Sequence, residues 1–495
     1  MATNLKANPS FEAEKADIVD VLIVGGGISG INAACRLTDS LPNTSYTILE
    51  GRQSFGGTWD FFKYPGIRSD SDLHTFGYAF KAWRGPAIAC APEILKYLNE
   101  VAQQYDLPSR THFNTKVQQA SWSSQDKLWT IKAVVSLTGE SRVYRARFYL
   151  NCCGYYDYDQ PLDAEIPGID GFTGTVVHPQ FWKLTEQDFK DKRVAVIGSG
   201  ATAITLLPAL AGKTKHVTLV QRSPSYVVAI SPNDPIANLV QKTLPERLAS
   251  FVIRQKNVAR IYAFYHFART FPRLTRGLIT VGAARLLPKD TPVEPHFTPK
   301  YAPWDQRVCL SPDGDFFKAF RDGHASVATG IIKTIEENQI MLDTGDKIHA
   351  DIIVTATGLK LQSGGGVRVI VDGEEVHINQ KFVWRGCMIE DVPNYAFVMG
   401  YTNASWTLGA DCTAHAVVRL LSHLAETNQK VVRPEMSDLN QVVEESIMDM
   451  SSTYVAKGRS SLPKVATTGP WKRRTNYWID MWTAKHATFD QLNFA

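Results

Sequence analysis

Two glycine-rich turns, each followed at a distance by a charged residue of opposite sign, carry most of the readable chemistry. In the first, Gly25-Gly26-Gly27-Ile28-Ser29-Gly30 follows the β-branched run from Ile18 to Val24 and opens the helical stretch INAACRL. Gly25 makes a tight turn, Gly27 lets backbone approach a pyrophosphate, and Gly30 permits close helix–strand packing, while the helix N-terminus attracts the anion. A second strand, Tyr46 to Leu49, ends in Glu50, 20 residues after Gly30. That carboxylate can accept hydrogen bonds from both ribose hydroxyls and would repel a 2′-phosphate, so the expected ligand is FAD or NAD. The second turn, Gly198-Ser199-Gly200-Ala201-Thr202-Ala203, follows the run from Arg193 to Ile197. Its next strand, Val217 to Val220, ends in Gln221-Arg222-Ser223. A guanidinium there pairs with the 2′-phosphate of NADP. Glu50 against Arg222 therefore predicts a flavin reduced by NADPH.

Elements must hold these residues in place. Two strand–turn–helix openings so far apart predict an α/β protein with two Rossmann-like dinucleotide-binding domains. Tyr149 to Gly154 and Asp351 to Gly358 both read as strands that stop at glycine. Taken as the two crossings between domains, they put the NADP domain inside the FAD domain. The expected division is 1–155 for the first part of the FAD domain and 156–234 for the first part of the NADP domain. A helical insertion follows at 235–295, then 296–357 and 358–495 complete the two domains. Cys152 and Cys153 read as small buried side chains. Between Lys242 and Lys289 ten Lys/Arg face a single acid, Glu246. That pattern predicts a solvated helical face, with weak membrane-surface association as the alternative.

Composition narrows the field. With 495 residues, 44% hydrophobic and 21% charged, the chain has ample core for two or three domains. A formal charge of +4 is too small to argue for nucleic acid. The seven cysteines are scattered without CxxC spacing, and the histidines, His74 and His112 among them, show no metal-ligand spacing. The N-terminus is polar and no apolar run approaches the length of a membrane span. A cytoplasmic protein is expected.

Further motifs lie between and beyond the turns. Gly56-Gly57-Thr58-Trp59 followed by Tyr64-Pro65-Gly66-Ile67-Arg68-Ser69-Asp70 is similar to the GGxWxxxxYPGxxxD pattern of Baeyer–Villiger monooxygenases. Phe172-Thr173-Gly174, His178 and Trp182 resemble that family's FxGxxxHxxxW fingerprint. From about 18 to 480 the chain resembles class B flavoprotein monooxygenases. It is most similar to the ethionamide-activating group, through KYPGIRSDSD, the PWDQR of 303–307 and GYTNASWTL of 400–408. The resemblance implies FAD contacts at Ser29, Glu50, Thr58, Trp59, Asp60, Asp70 and Val117. It implies NADP contacts at Arg68, Ser69, the turn from Gly198 to Ala203, Gln221 and Arg222. It makes Arg307, steadied by Asp70, the cation that stabilises a C4a-peroxyflavin as oxygen from O2 enters a ketone to give an ester or lactone.

Two departures stand out. Lys183 replaces the Pro or Asp expected after Trp182 and is more like the monooxygenases that oxidise nitrogen and sulfur, which keeps that reaction as the alternative. Gln306 stands where many members carry a phosphate-binding lysine. A disulfide reductase would need a cysteine pair soon after Glu50, and none lies between Cys35 and Cys90. The pocket for the small-molecule substrate is expected around 360–390 and in the segment from 431, with Trp471, Tyr477, Trp478 and Trp482.

Overall fold

The computed structural model describes residues 17–437 and 442–495, so the N-terminal segment 1–16, read above as polar, lies outside the described residues. Strand Ile18–Val24 runs parallel between Tyr46–Leu49 and Ser141–Asn151. Val21, Leu22 and Ile23 are fully buried, which is why this strand reads as a continuous apolar run and not as an alternating one. The register aligns Val24 with both Leu49 and Asn151. Gly25, Glu50 and Cys152 therefore leave the sheet side by side at the carboxyl ends of three parallel strands, where open α/β sheets bind ligands. An antiparallel meander of Thr115–Ser123, Leu128–Val135 and Ser141–Asn151 widens this sheet. Late in the chain Arg368–Val371 joins Thr115–Ser123, and Tyr395–Phe397 joins Ser141–Asn151. Helix Trp406–Thr427 then packs on helix Ile28–Ser40, locked by Arg36, whose guanidinium donates to both Asp411 oxygens at 2.8 and 3.0 Å.

A second, all-parallel sheet has the order Ala325–Thr329, His216–Gln221, Arg193–Ile197, Ile352–Thr355 and Thr175–Val177. The two strands expected as crossings, ending at Gly154 and Gly358, belong to the first and second sheets, and the chain just beyond each forms one ribbon. Tyr156–Pro161 leaves the first sheet and Leu359–Leu361 returns to it, and the two pair antiparallel. Gln180, between His178 and Trp182, donates from Nε2 to the Asp157 carbonyl at 2.8 Å and so ties the fingerprint segment to this ribbon.

The insertion is helical, as Pro235–Thr243, Glu246–Thr270 and Pro272–Leu286. It is not solvated all round. Val258 and Tyr262 are buried in the core of the first unit. Arg254, one of the ten expected surface cations, is also buried and donates to the Gly77 carbonyl at 2.7 Å. A helix laid against the first unit must bury one side, and Arg254 lies on that side.

Candidate active site

A cavity of about 1000 Å³ opens between the carboxyl ends of the parallel strands of the two sheets and is lined from both. On the first side stand Gly25, Gly27, Ser29, Glu50 and Val117, with Thr58 and Trp59 opposite. Gly25 has φ +105, and a Cβ there would come within 2.6 Å of the Cys152 carbonyl oxygen. A Cβ on Gly30 would overlap the Gly25 carbonyl, which accounts for the third glycine. Gly27 faces Gly57 backbone to backbone, leaving a groove without side chains. Neither helix that opens at a glycine turn has a side-chain cap on its N-terminus, at Gly27 or at Gly200. The first-turn N–H groups are thus left for an anion, as a dinucleotide pyrophosphate requires.

Glu50 is buried, and its two oxygens accept from the Gly26 and Arg52 amides at 2.6 and 2.8 Å. Burial raises its pKa, and those two donors oppose the rise. Each oxygen keeps a lone pair for a ribose hydroxyl. Ser29 accepts from the Trp406 indole N–H at 2.9 Å, and Trp406 stacks on Tyr155 with ring centroids 5.0 Å apart.

On the second side are Gly198, Ser199, Gly200, Ala201 and Thr202. Ala203 is buried behind them, at the position where its small side chain permits helix–strand packing. The Ser199 hydroxyl donates to the Ser223 carbonyl at 2.7 Å and fixes the loop that carries Arg222. Arg222 lines the cavity, and its guanidinium donates to the Thr453 hydroxyl at 3.1 Å. Gln221 also lines it, but its amide nitrogen is spent on the His296 carbonyl at 2.7 Å and on Thr329 at 3.0 Å.

Between the two sides sits Arg307. Its guanidinium donates to Asp70 Oδ2 at 3.0 Å and to the Tyr401 carbonyl at 3.4 Å, and 31% of the side chain stays accessible on the cavity wall. Burial works against its charge. The Asp70 carboxylate leads the effects that oppose burial, and the pKa moves above the usual arginine value. Tyr155 and Tyr156 share a hydrogen bond at 2.8 Å.

Some expected contacts fall elsewhere. Asp60 does not line the cavity: Arg52 holds its carboxylate at 2.6 and 2.9 Å. Burial pushes that carboxyl up, but the guanidinium prevails and keeps it below the usual range. Ser69 is buried off the wall, with its hydroxyl closed onto the Ser71 carbonyl. Arg68 reaches the wall, yet its guanidinium is paired with Asp315. The expected substrate aromatics are also displaced. Trp471 and Tyr477 are buried in the core of the first unit, and Trp478 and Trp482 face outward. The C-terminal segment contributes Met450, Ser452, Thr453, Tyr454 and Lys457 instead, and the 360–390 stretch contributes Gln362, Gly365 and Val367. None of these C-terminal five, nor Trp406 and Tyr155, was singled out from the sequence. The aromatic density of GYYDYD next to a strand end was the one available signal.

Family models match in two places: Flavin-binding monooxygenase-like over residues 84–268, and NAD(P)-binding Rossmann-like domain over 23–100. The chain is 43% identical to the FAD-containing monooxygenase EthA of Mycolicibacterium smegmatis over 474 residues, which cover 95% of this chain and 96% of that one. With EthA of Mycobacterium tuberculosis the identity is 41%, covering 96% and 98%. The chain belongs to the FAD-containing monooxygenases. Solved structures share the fold of this monooxygenase at much lower identity. An oxidized steroid monooxygenase bound to NADP superposes with a TM-score of 0.74 at 20% identity, covering 97% and 99% of the two chains. An ε-caprolactone-bound cyclohexanone monooxygenase gives 0.72 at 19%, covering 97% and 100%. The monooxygenase thus carries two Rossmann-like dinucleotide-binding folds in one chain. Among the described residues no helix is long and apolar enough to cross a membrane.

Proposed function

We propose that this monooxygenase consumes NADPH and O2 to insert one oxygen atom beside a ketone carbonyl. The products are an ester or lactone, water and NADP+. In this reading the first unit, 1–155 with 358–495, binds FAD, and the inserted unit, 156–357, binds NADPH. Bound FAD would supply the two-electron reduction of O2 that leaves one oxygen atom transferable.

What supports the ketone reaction is the Arg307 guanidinium, held by Asp70 at 3.0 Å on the wall that both glycine turns share. Oxygen insertion into a ketone passes through anionic oxygen, and a fixed cation in a site shielded from water stabilises it most. Arginine keeps its proton there, whereas lysine can lose it. Asp70 and the Tyr401 carbonyl steady the guanidinium from two sides. Burial raises the pKa of Tyr155, Tyr156 and Tyr454, so these phenols stay neutral donors beside it. Lys183, the residue that resembles heteroatom oxygenases, is exposed and outside the cavity, so it does not touch the reacting atoms.

At the other end Arg222 would pair with the 2′-phosphate. Lys457 lines the same cavity one helical turn beyond Thr453, which Arg222 already contacts. Its ammonium, which donates to the Asp163 carbonyl at 2.9 Å and lies 3.7 Å from Glu165, would add a second cation where Gln306 cannot. The test is product analysis by mass spectrometry under labelled O2, with cyclic, linear and aryl ketones and a thioether. Labelled ester or lactone supports the reading; labelled sulfoxide with no ester from any ketone overturns it.

A further inference from the structure

The outer face of the helical insertion is as apolar as its inner face. Eight of the eighteen exposed large apolar side chains among the described residues lie on its three helices, and a ninth, Phe271, joins the last two. On Glu246–Thr270 the inward side buries Ile253, Val258 and Tyr262. A second row, at steps of three and four residues, exposes Leu248, Phe251, Ala259, Ala263 and Phe267, with half-buried Gln255 among them. Phe271 continues the stripe, and Leu274, Leu278 and Val281 form one exposed face of Pro272–Leu286. Exposure is high, at 60% for Phe251 and 58% for Leu278. A surface helix of a soluble protein ordinarily turns polar side chains outward. The C-terminal helix Tyr477–His486 extends the patch: Trp478 donates to Gln255 at 2.7 Å, and Ile479 and Trp482 stand exposed beside it.

Cations border this surface. Arg247, Arg260, Arg273 and Arg285 are exposed and have no carboxylate partner among the described residues. The lone acid, Glu246, is neutralised by Arg84 at 2.6 Å. Two such faces meeting in a dimer would set like charges against each other. Nucleic acid would leave the leucine and phenylalanine side chains without a use. Apolar side chains ringed by unpaired cations match one surface, the boundary between anionic headgroups and acyl chains.

We propose that the helical insertion, with the C-terminal helix beside it, docks on an anionic lipid bilayer. The inner side of the same helix touches the segment that carries Arg307. Phe264 and Tyr265 pack edge-on against Trp304, and Arg269 pairs with Asp305 at 2.6 Å. Docking there would bring that segment close to a phase in which apolar substrates concentrate.

The experiment is co-sedimentation of the FAD-loaded protein with vesicles of phosphatidylcholine alone and of phosphatidylcholine mixed with phosphatidylglycerol. Two exposed-face variants accompany the wild type: Phe251→Ser with Leu278→Ser and Trp482→Ser, and Arg247→Gln with Arg260→Gln, Arg273→Gln and Arg285→Gln. Flavin content and sedimentation velocity check that each stays folded. The expected result is binding only to the anionic vesicles, weakened by salt and lost in both variants, since each surface cation changes partitioning about fivefold. Absence of wild-type binding to anionic vesicles overturns the proposal. So does equal binding to both vesicle types, binding unchanged in the two variants, or self-association abolished by the serine variant without any vesicle binding.

Discussion

Arg307 is gripped by a carboxylate on one side and a backbone carbonyl on the other, and its remaining surface faces the cavity. Arg307→Ala removes a preorganised cation, a change that commonly costs about 10²–10³ in rate. The expected outcome is a protein that purifies yellow, oxidises NADPH and releases hydrogen peroxide in place of ester. The ratio of ester formed to NADPH consumed, with peroxide measured in parallel, checks it; wild-type coupling would remove Arg307 from the chemistry. Arg222→Ala should weaken NADPH more than NADH, by about 10- to 100-fold for a charge-assisted bond of roughly 1.5–3 kcal/mol. Binding titrations of both coenzymes read this directly, and an unchanged preference would assign the 2′-phosphate elsewhere. At this scale the sequence was informative where function depends on backbone. Gly25 and Gly30 each have a steric reason that spacing alone exposes. Asp60 and Ser69 stand off the cavity wall, and nothing local reveals that Arg52 or a neighbouring carbonyl has claimed the side chain.

Elements adjacent in sequence were legible, and partnerships between distant ones were not. Strand Ile18–Val24, its turn and helix Ile28–Ser40 follow from β-branched density and helical period. Nothing in that stretch predicts that Trp406 donates to Ser29, 377 residues away, or that Thr453 meets Arg222. The long pairing of Ile28–Ser40 with Trp406–Thr427 also has a pH signature. Beside the Arg36–Asp411 bridge, burial lowers the His415 pKa from 6.5 to about 4, although Asp411 pulls it the other way. His415 is therefore neutral in the folded protein and protonated in the unfolded chain below pH 6.5. Its contribution is complete above pH 6.5 and is lost progressively as pH falls to about 4, to the extent of about 3 kcal/mol. His415→Gln should flatten the dependence of melting temperature on pH across that window. An equally steep profile in the variant would assign the acid sensitivity to other groups.

Across the whole molecule, the two units meet where the Tyr64–Arg68 stretch crosses helix Ala201–Leu210. Gly66, at φ +75, passes so close that a Cβ would lie 2.6 Å from the Ala209 methyl and 2.9 Å from the Thr205 carbonyl oxygen. Gly66→Ala should cost about 1–3 kcal/mol for overlap, with backbone strain in addition. FAD should be retained, while reduction by NADPH slows, because the joint that aligns the two sites is pushed open. Flavin content and stopped-flow reduction under nitrogen separate the two effects, and wild-type reduction would show that the joint tolerates the methyl group.

The paired strands Tyr156–Pro161 and Leu359–Leu361 also set an order in time. Everything from Thr175 to Thr355 that builds the parallel five-stranded sheet is synthesised before Arg368–Val371 and Tyr395–Phe397 exist to finish the first sheet. Domains ordinarily fold from the N-terminus as the ribosome releases them. Here the middle of the chain can reach its native state while the beginning still waits for the end. Nascent chains arrested after Leu361 has cleared the exit tunnel should resist limited proteolysis between 175 and 355 and remain cleavable before Asn151. Protection of both regions at that length would mean that the first sheet closes without its last strands.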